Sequence, residues 1–321
     1  MNRLVLWSRR IGALALAAVA TAASAQWTPS KPIKILVPYA VGGSGDIGLR
    51  IISDRLGAAM GQPIVLENKG GAGGAIGTEQ GARATPDGYT WILGSDAPFT
   101  IIPHMRKVAY DPINDFQAAG LIASLPLVVV VNPSLPVKSM AELVALAKTR
   151  RITLGSNGNG SSAHLFSELL KREGKIELAH IPYTGIAQVV TDVMGGQIDM
   201  TVASVGTVIA HIRSGRLRAL ALTLPVKLTS LPDVPTLAEQ GFQNAEIGVW
   251  IGLLVPAKTP KEVAQRISVE LTKVLETPEV RERFAQLGYV PGGGAPSVLS
   301  NRIELDDARF GKIIRDAHIT E

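Results

Sequence analysis

Apolar runs and helical patterns alternate along almost the whole of this 321-residue chain, and no other feature limits its fold as much. The first three apolar runs predict buried strands, with the sequences KILVPY, PIVLEN and YTWILGS. Between the first two, DIGLRIISDRLGAAM places four apolar side chains on one helical face: Ile47, Ile51, Ile52 and Leu56. Continuous apolar strands separated by helices are typical of parallel sheets that helices cover on both faces. The sequence therefore predicts an α/β fold.

The same alternation restarts after Pro126 and predicts a second α/β unit. The run LVVVVN is followed by Ser139 and Glu142, whose spacing predicts a capping box at the start of a helix. Strands and helices then follow in turn, with the sequences ITLGS, SSAHLFSELLK, ELAHIPY, IAQVVTDVM, IDMTVAS and LRALALTL.

The last part of the chain is predicted to return to the first unit. One more apolar run, GVWIGLLVPA, precedes a long helix with Thr259 as its cap and Pro260 at its first position. The last sixty residues or so look helical and too poor in strands for a sheet of their own, so we expect them to pack on the first unit. The prediction is a domain 1 of residues 26–126 and 251–321, and a domain 2 of residues 127–250.

The amino terminus has the composition of a signal peptide. Arg3, Arg9 and Arg10 precede the apolar run Ile11–Ala20, and Ala23-Ser24-Ala25 resembles a cleavage site after Ala25. The alternative is an uncleaved anchor, but the run is short for a membrane span. The pair Arg9-Arg10 leaves twin-arginine and general export both open. We expect an exported periplasmic protein, with residues 1–25 removed.

Charge and cysteine content exclude several classes of function. Without the three arginines of residues 1–25, the chain has 29 basic and 27 acidic side chains, a net charge of +2. This small charge predicts no nucleic-acid partner. Cysteine is absent, so disulfides are excluded. The five histidines lack zinc-site spacing, and no G-x-S-x-G nucleophile motif occurs, so we expect no metal, no cofactor and no enzyme.

The stretch from Gly43 to Gly48 has the pattern G-x-G-x-x-G, and Glu67 follows 24 residues after Gly43. This is the pattern of a dinucleotide site, and a nicotinamide-dependent oxidoreductase is therefore the alternative function. Residues 38–42 separate the strand from the first glycine, whereas in a dinucleotide fold the strand runs straight into it. Export would also remove the protein from the cytoplasmic nicotinamide pool.

Similar glycine-rich loops recur at the carboxyl ends of other predicted strands. They are residues 67–77, the end of the third strand at Ser95, and residues 157–162 in the second unit. Ligands of open α/β sheets bind at these ends, and helix amino termini attract anions through their free N–H groups. The loops therefore predict a site for a small carboxylate. The alternative is that each is only a tight turn that needs glycine.

Four side chains near these loops need interpretation. Asp46 is either the amino-terminal cap of its helix or a carboxylate that holds the loop or meets a ligand. His164 lies in the first turn of a helix, which disfavours its protonation, so we expect a neutral hydrogen-bonding role. Trp250, like Tyr39, is either a core aromatic or a ligand contact.

The motifs together resemble the Bug family, the periplasmic solute receptors of tripartite tricarboxylate transporters. The resemblance covers nearly all of the mature chain and rests on PYAVGGSGDIGLRII, GQPIVLENKGGAGGAIGTEQGARATPDGYTWILGS, HIPYTGIAQVVTDVMGGQIDM, LRALALTLPVKLTSLPDVPTLAEQGF and GLLVPAKTPKEV. It implies a two-domain fold of the type II periplasmic-binding-protein kind, joined by crossing strands, with a ligand cleft between the domains.

The resemblance also implies which residues contact a ligand. Those expected to hold one carboxylate are Tyr39, Gly43, Ser44, Asp46, Ala72 and Gly73. Those expected to reach the rest of the ligand are Ser156, Asn159, Ser161 and His164, with Tyr183 and Ser204 on the far wall. Ser95, at the end of the third strand, and Trp250 complete the candidate site.

Two departures from the family pattern bear on the ligand. Gly45 stands where many relatives have threonine, and Thr201–Ser204 lacks the acidic residue that many relatives carry. Without that acid, a dicarboxylate or an aromatic carboxylate stacked near Trp250 is favoured over an amino acid. We expect a monomeric receptor whose partners are membrane subunits of a tripartite transporter or a sensor.

Overall fold

The computed structural model describes residues 27–320, and the predicted signal peptide lies outside them. Within this range there are ten strands: β1 (Ile33–Val37), β2 (Ile64–Asn68), β3 (Thr90–Ser95), β4 (Phe116–Val131), β5 (Ile152–Ser156), β6 (Leu178–Pro182), β7 (Met200–Ser204), β8 (Arg218–Leu222), β9 (Gly248–Pro256) and β10 (Val290–Pro291).

The described helices alternate with these strands, as the sequence predicts. They are α1 (Ser44–Met60), α2 (Ala75–Ala82), α3 (Ile102–Met105), α4 (Met140–Ala147), α5 (Ser162–Gly174), α6 (Ile186–Met194), α7 (Val205–Arg213), α8 (Lys261–Leu275), α9 (Pro278–Gln286) and α10 (Pro296–Asp316). Short helical turns also occur, at Ala72–Gly74, Ala97–Ile101, Ala238–Gln240 and Gln243–Ala245.

The strands lie in the order β2-β1-β3-β9-β4-β7-β5-β6, and β8 and β10 also pair with β4. Strands β1, β2 and β3 are parallel, as are β5, β6 and β7. Strands β4 and β9 run antiparallel to their neighbours. The sequence predicts the parallel groups correctly but not the antiparallel strands that join them.

Strand β4 belongs to both groups. Up to Pro126 it pairs with β9, and from Leu127 onward it pairs with β7 and β8. We call the group around β1–β3 and β9 domain 1, and the group around β5–β8 domain 2. The exact boundaries given above stay a prediction.

The sequence pattern predicts only the second half of β4, LVVVVN, and not the first half. Its residues include small side chains and Gly120, which break the apolar run. A Cβ atom at Gly120 would lie 2.8 Å from Leu271 Cδ2, so the glycine makes room for α8 against the sheet. Local pattern alone does not show such a close approach.

The sequence predicts amino-terminal caps for α4 and α8, and the structure confirms the first of them. Ser139 caps α4, because its hydroxyl accepts a hydrogen bond from the Glu142 amide at 3.2 Å. The prediction for Thr259 is wrong. The cap of α8 is Pro260, and the buried Thr259 Oγ1 has no hydrogen-bond partner among the described residues.

The carboxyl-terminal helix α10 packs on both domains. Leu299 and Ile303, in its first half, lie in a cluster with Phe116 and Leu254 of domain 1. Its second half, from Phe310 onward, joins the core of domain 2. The expectation that the last sixty residues pack on domain 1 is therefore only partly correct. A helix of 21 residues is about 30 Å long, which is enough to reach both domains.

Candidate ligand-binding site

A cavity of about 650 Å³ lies between the two domains, at the carboxyl ends of their parallel strands. Domain 1 contributes the loop after β1 and the end of β3, and domain 2 contributes the loops before α5, α6 and α7. The residues that line it are Tyr39–Gly45, Ser95–Ala97, Leu127, Asn157, Ser161–Ala163, Thr184–Ile186, Val202–Ser204, Thr207, Val249 and Ile251. The volume suits a small molecule.

Helix amino termini from both domains meet at this cavity. Helix α1 begins at Ser44, α5 at Ser162 and α6 at Ile186, and all three residues line the wall. In α1 the first helical bond is donated by Ile47, so the amides of the residues before it have no helical acceptor. None of the described residues on the wall is a lysine or an arginine. The cavity therefore attracts anions through backbone N–H groups and helix dipoles.

The first glycine loop is held by Asp46, which is 1% exposed. Its carboxylate accepts hydrogen bonds from the Gly42 amide (2.9 Å), Asn68 Nδ2 (2.9 Å) and Arg50 Nε (2.8 Å). Burial alone would raise the pKa of Asp46, but these bonds and the Arg50 charge hold it below its ordinary value. The cap position of α1 is Gly43, so Asp46 is not the cap. It holds the loop from behind.

Tyr39 and Ser95 form a pair on the domain 1 wall. Their hydroxyl groups are hydrogen-bonded to each other. Burial, and secondarily the charge of Asp96, raises the pKa of Tyr39 above its ordinary value. The phenol is therefore neutral, and it presents a hydroxyl at the cavity.

Asp96 directly follows β3 and lines the cavity with 3% of its surface exposed. Ser162 Oγ, from domain 2, donates a hydrogen bond to Asp96 Oδ2 at 2.8 Å. Burial raises the pKa of Asp96 to about 6, although the Ser162 hydrogen bond acts in the opposite direction. This carboxylate ties the two domains together beside the cavity, a role that the sequence does not predict.

Two stacked histidines hold the domain 2 loop from behind. The rings of His164 and His180 are parallel, with centroids 3.9 Å apart. His164 Nδ1 accepts a hydrogen bond from the Gly160 amide (3.1 Å), and His180 Nε2 is hydrogen-bonded to Ser156 Oγ (2.5 Å). Burial lowers the pKa of each imidazole to about 4, with positive Lys171 adding to the effect. Both rings are neutral near pH 7 and set the loop conformation.

The candidate residues fall into two groups. Those that line the cavity are Tyr39, Gly43, Ser44, Ser95, Ser161 and Ser204. Those that do not are Asp46, Ala72, Gly73, Ser156, Asn159, His164, Tyr183 and Trp250. Asp46, Ser156 and His164 lie behind the loops, as described above.

The remaining residues of the second group have other surroundings. Ala72 and Gly73 are solvent-exposed, and Arg106 donates a hydrogen bond to the Ala72 carbonyl. Asn159 is likewise exposed and does not line the cavity. Tyr183 donates its hydroxyl hydrogen to Asp192 at 2.6 Å. Trp250 is fully buried against Phe99, at a centroid distance of 6.0 Å, so its ring is not available for stacking on a ligand.

Sequence reasoning also missed residues that line the cavity. They are Asp96, Asn157, Ser162, Thr184 and Thr207. Each lies just after a parallel strand or in the first turn of the following helix. Asp96, Asn157 and Ser162 lie in loops after β3 and β5 that the sequence already indicated, whereas Thr184 and Thr207 follow β6 and β7, to which the rule that ligands bind at the carboxyl ends of parallel strands was not applied.

The dinucleotide interpretation does not match this geometry. Glu67 is not on the cavity wall. It forms ion pairs with Lys34 (3.2 Å) and Lys69 (3.3 Å). A Cβ atom at Gly48 would lie 2.7 Å from Ile251 Cδ1, so this glycine lets α1 pack on β9. The pattern G-x-G-x-x-G therefore has a packing role at Gly48, and its first residues, Gly43–Gly45, lie on the cavity wall.

Two further properties concern residues 27–320 only. No group of three or more His, Cys, Asp or Glu side chains there could hold a metal ion. Over the same range, none of the helices is both long and apolar enough to cross a membrane.

Comparison with known proteins identifies relatives over almost the full length. The model of the tripartite tricarboxylate transporter family receptor matches residues 49–319. Protein BugT of Bordetella pertussis is 33% identical over 307 residues, covering 94% of this chain and 94% of BugT.

Two structures from Rhodopseudomonas palustris have the same fold. Rpa4515 with adipate is 30% identical with a TM-score of 0.81, covering 91% of this chain and 99% of Rpa4515. MatC with bound malate is 27% identical with a TM-score of 0.77, covering 89% of this chain and 99% of MatC.

These relatives confirm the predicted two-domain periplasmic-binding-protein fold with a cleft between the domains. They also favour carboxylate binding over the oxidoreductase alternative. The family consists of periplasmic solute receptors and not of enzymes. With the family match and the two-domain cavity in agreement, the chain belongs to the Bug family of receptors of tripartite tricarboxylate transporters.

Proposed function

We propose that this receptor captures a small organic acid between its two domains and delivers it to the membrane subunits of a tripartite transporter or to a sensor. The observation that carries the proposal is the cavity of about 650 Å³, to which both domains contribute helix amino termini. The bound adipate and malate of the two relatives support a carboxylate ligand.

Capture would proceed by closure of the domains around the ligand. The amides of Ser44 and Gly45 hold one carboxylate, and the loops before α5, α6 and α7 contact the rest. The hinge lies where β4 and β9 cross between domains, near the predicted boundaries after Pro126 and after Trp250. A ligand that touches both domains stabilises the closed state by its differential affinity.

The two relatives favour a dicarboxylate over an aromatic carboxylate. Both of their ligands are dicarboxylates, and Trp250 lies inside the core, where it provides no stacking surface. The argument against an amino acid is weaker than the sequence suggested. It rested on a missing acid at Thr201–Ser204, and Asp96 places an acid on the wall instead.

We further propose the cellular setting and the form of the protein. The chain is exported, cleaved after Ala25 and active in the periplasm as a monomer. It uses no cofactor and does no chemistry on its ligand. The periplasmic character of the family supports this location.

A thermal-shift panel tests the proposed function. Protein freed of copurified ligand is melted with mono-, di- and tricarboxylates, amino acids and NADH. A ligand that binds only the folded state adds about 2.7 kcal/mol of stability at 100 times its Kd. We expect at least one carboxylate to raise the Tm and NADH to leave it unchanged. A shift with NADH and with none of the acids would refute the proposal.

A further inference from the structure

Asp96 is the one charged side chain among the described residues that line the cavity. A site that attracts anions through backbone amides thus also contains a buried negative group. A carboxylate there repels the acceptor oxygens of a second ligand carboxylate. It attracts hydroxyl and ammonium groups, which can donate to it.

We propose that Asp96 makes this receptor select organic acids that carry a hydroxyl or ammonium group beside the carboxylate, and disfavour the parent acids that lack such a donor. The inference rests on the proposed function and specifies the ligand class of the same cavity. Asp96 is then a specificity-determining residue.

The hydrogen bonds of Asp96 leave room for a ligand donor. Ser162 Oγ donates to Oδ2 at 2.8 Å, and a hydrogen bond from the Ala97 backbone also lowers the pKa of this carboxyl. An ionised carboxylate offers about four acceptor positions, so acceptor capacity remains. If a ligand presents only acceptors, this capacity stays unsatisfied in a buried place, which is unfavourable.

The charges around Asp96 do not neutralise it. On α10, Arg302 Nε donates to Asp306 Oδ2 at 2.6 Å, so the arginine is engaged by another buried carboxylate. Asp306 raises the pKa of Asp96 and Arg302 lowers it, both less strongly than burial raises it. Tyr39 faces Asp96 from the loop after β1 and is neutral, because its own pKa is raised. Above pH 7 the cavity therefore holds a negative charge.

A competing explanation is that Asp96 serves only to tie the domains together through Ser162. The variants Asp96→Asn and Ser162→Ala separate the two roles. The first removes the charge and keeps a side chain of the same shape. The second removes the interdomain hydrogen bond and keeps the charge.

The test compares matched acids by titration calorimetry at pH 8. The probes are succinate, L-malate and L-aspartate, and then adipate with 2-hydroxyadipate and 2-aminoadipate. In wild type we expect a donor-bearing acid to bind at least about tenfold more tightly than its parent diacid, as in sites built to hydrogen-bond a hydroxyl. Asp96→Asn should bring this ratio close to one, mainly through tighter binding of the parent diacid. Ser162→Ala should weaken both acids and keep the ratio.

Three results would overturn the assignment. The first is a parent diacid that binds wild type as tightly as its donor-bearing partners. The second is an unchanged ratio in a folded Asp96→Asn protein, checked by its melting curve. The third is loss of the ratio in Ser162→Ala, which would transfer selectivity to the interdomain bond. If none of the six acids binds any of the proteins, the thermal-shift panel separates the two proposals: a shift with another carboxylate overturns the assignment to Asp96 alone, and no shift with any acid overturns the proposed function as well.

Discussion

The two glycine loops that face each other across the cavity use the same backbone chemistry but are held by different side chains. In domain 1, the loop before α1 is held by ionised Asp46 with Arg50 and Asn68. In domain 2, the loop before α5 is held by the neutral stacked pair His164 and His180. We call Asp46 the charged support of the domain 1 loop, and the pair His164 and His180 the neutral support of the domain 2 loop. The two supports respond differently to mutation and to pH, so one loop can be disturbed while the conformation of the other is kept.

The largest expected effect is the loss of stability when Asp46, the charged support of the domain 1 loop, is removed. Asp46→Ala leaves the Gly42 amide and Asn68 Nδ2 without their partner and Arg50 without its counter-ion. We expect a loss of about 3 kcal/mol in the free energy of unfolding, because a buried carboxylate with three donors is removed. Urea unfolding measures it. As a control, Glu67→Ala removes an ion-paired carboxylate that is a third exposed and should cost under about 1 kcal/mol. Equal losses would contradict the role of Asp46.

The second effect concerns the proposed anion contact at Gly43, the cap of α1. A Cβ atom at Gly43 would meet only the Ala40 carbonyl, at 3.6 Å, so Gly43→Val can fold. Its β-branched side chain would stand on the cavity wall where the backbone must approach the carboxylate. We expect affinity for the best carboxylate of the panel to fall about 100-fold or more, equivalent to about 2.7 kcal/mol. Gly43→Ala is the matched control with a smaller loss. Unchanged affinity in a folded valine variant would move the site elsewhere.

The smallest effect concerns the pH response of the neutral support. The pKa of His164 and of His180 is lowered to about 4 in the folded protein, from an ordinary value near 6.5. Between pH 6.5 and 4 the unfolded chain therefore binds more protons than the folded one, so stability falls as pH falls. We expect His180→Gln to be less stable than wild type at pH 8 and to recover about 1 kcal/mol of that difference by pH 4.5.

Denaturant titrations at both pH values test this, and the comparison of variant with wild type cancels the contribution of Asp96. That contribution has the opposite sign, because the folded pKa of Asp96 lies above its ordinary value. A stability difference that does not change with pH would show that the histidines do not titrate as described.

The elements whose signals are local could be predicted well. The sequence runs ITLGS and IAQVVTDVM coincide with β5 and α6, and the Ser139 cap is present. Of the predicted glycine loops, those before α1 and α5 line the cavity between the two units, and the loop of residues 67–77 does not. Polarity and periodicity within about ten residues carry this information, so no three-dimensional contact is needed to read it.

Three features could not be predicted because they depend on contacts between distant segments. Gly120 interrupts the apolar pattern in the first half of β4. A glycine is needed there because α8 approaches the strand closely. The second half of α10 packs on domain 2, but the residue pattern of a helix does not show which surface it will cover. Trp250 has an aromatic ring that could stack on a ligand, but its neighbours bury it completely.

Taken by itself, the sequence determined the α/β class, most strand and helix positions, the glycine loops at the strand ends, and the family. Only the tertiary structure decided which side chains face the ligand cavity and which support it from behind. Asp96 and Ser162 are 66 residues apart, yet they are hydrogen-bonded because domain packing brings the end of β3 to the start of α5. Local propensity cannot encode the side on which a loop residue lies, because that depends on how the two domains fit together.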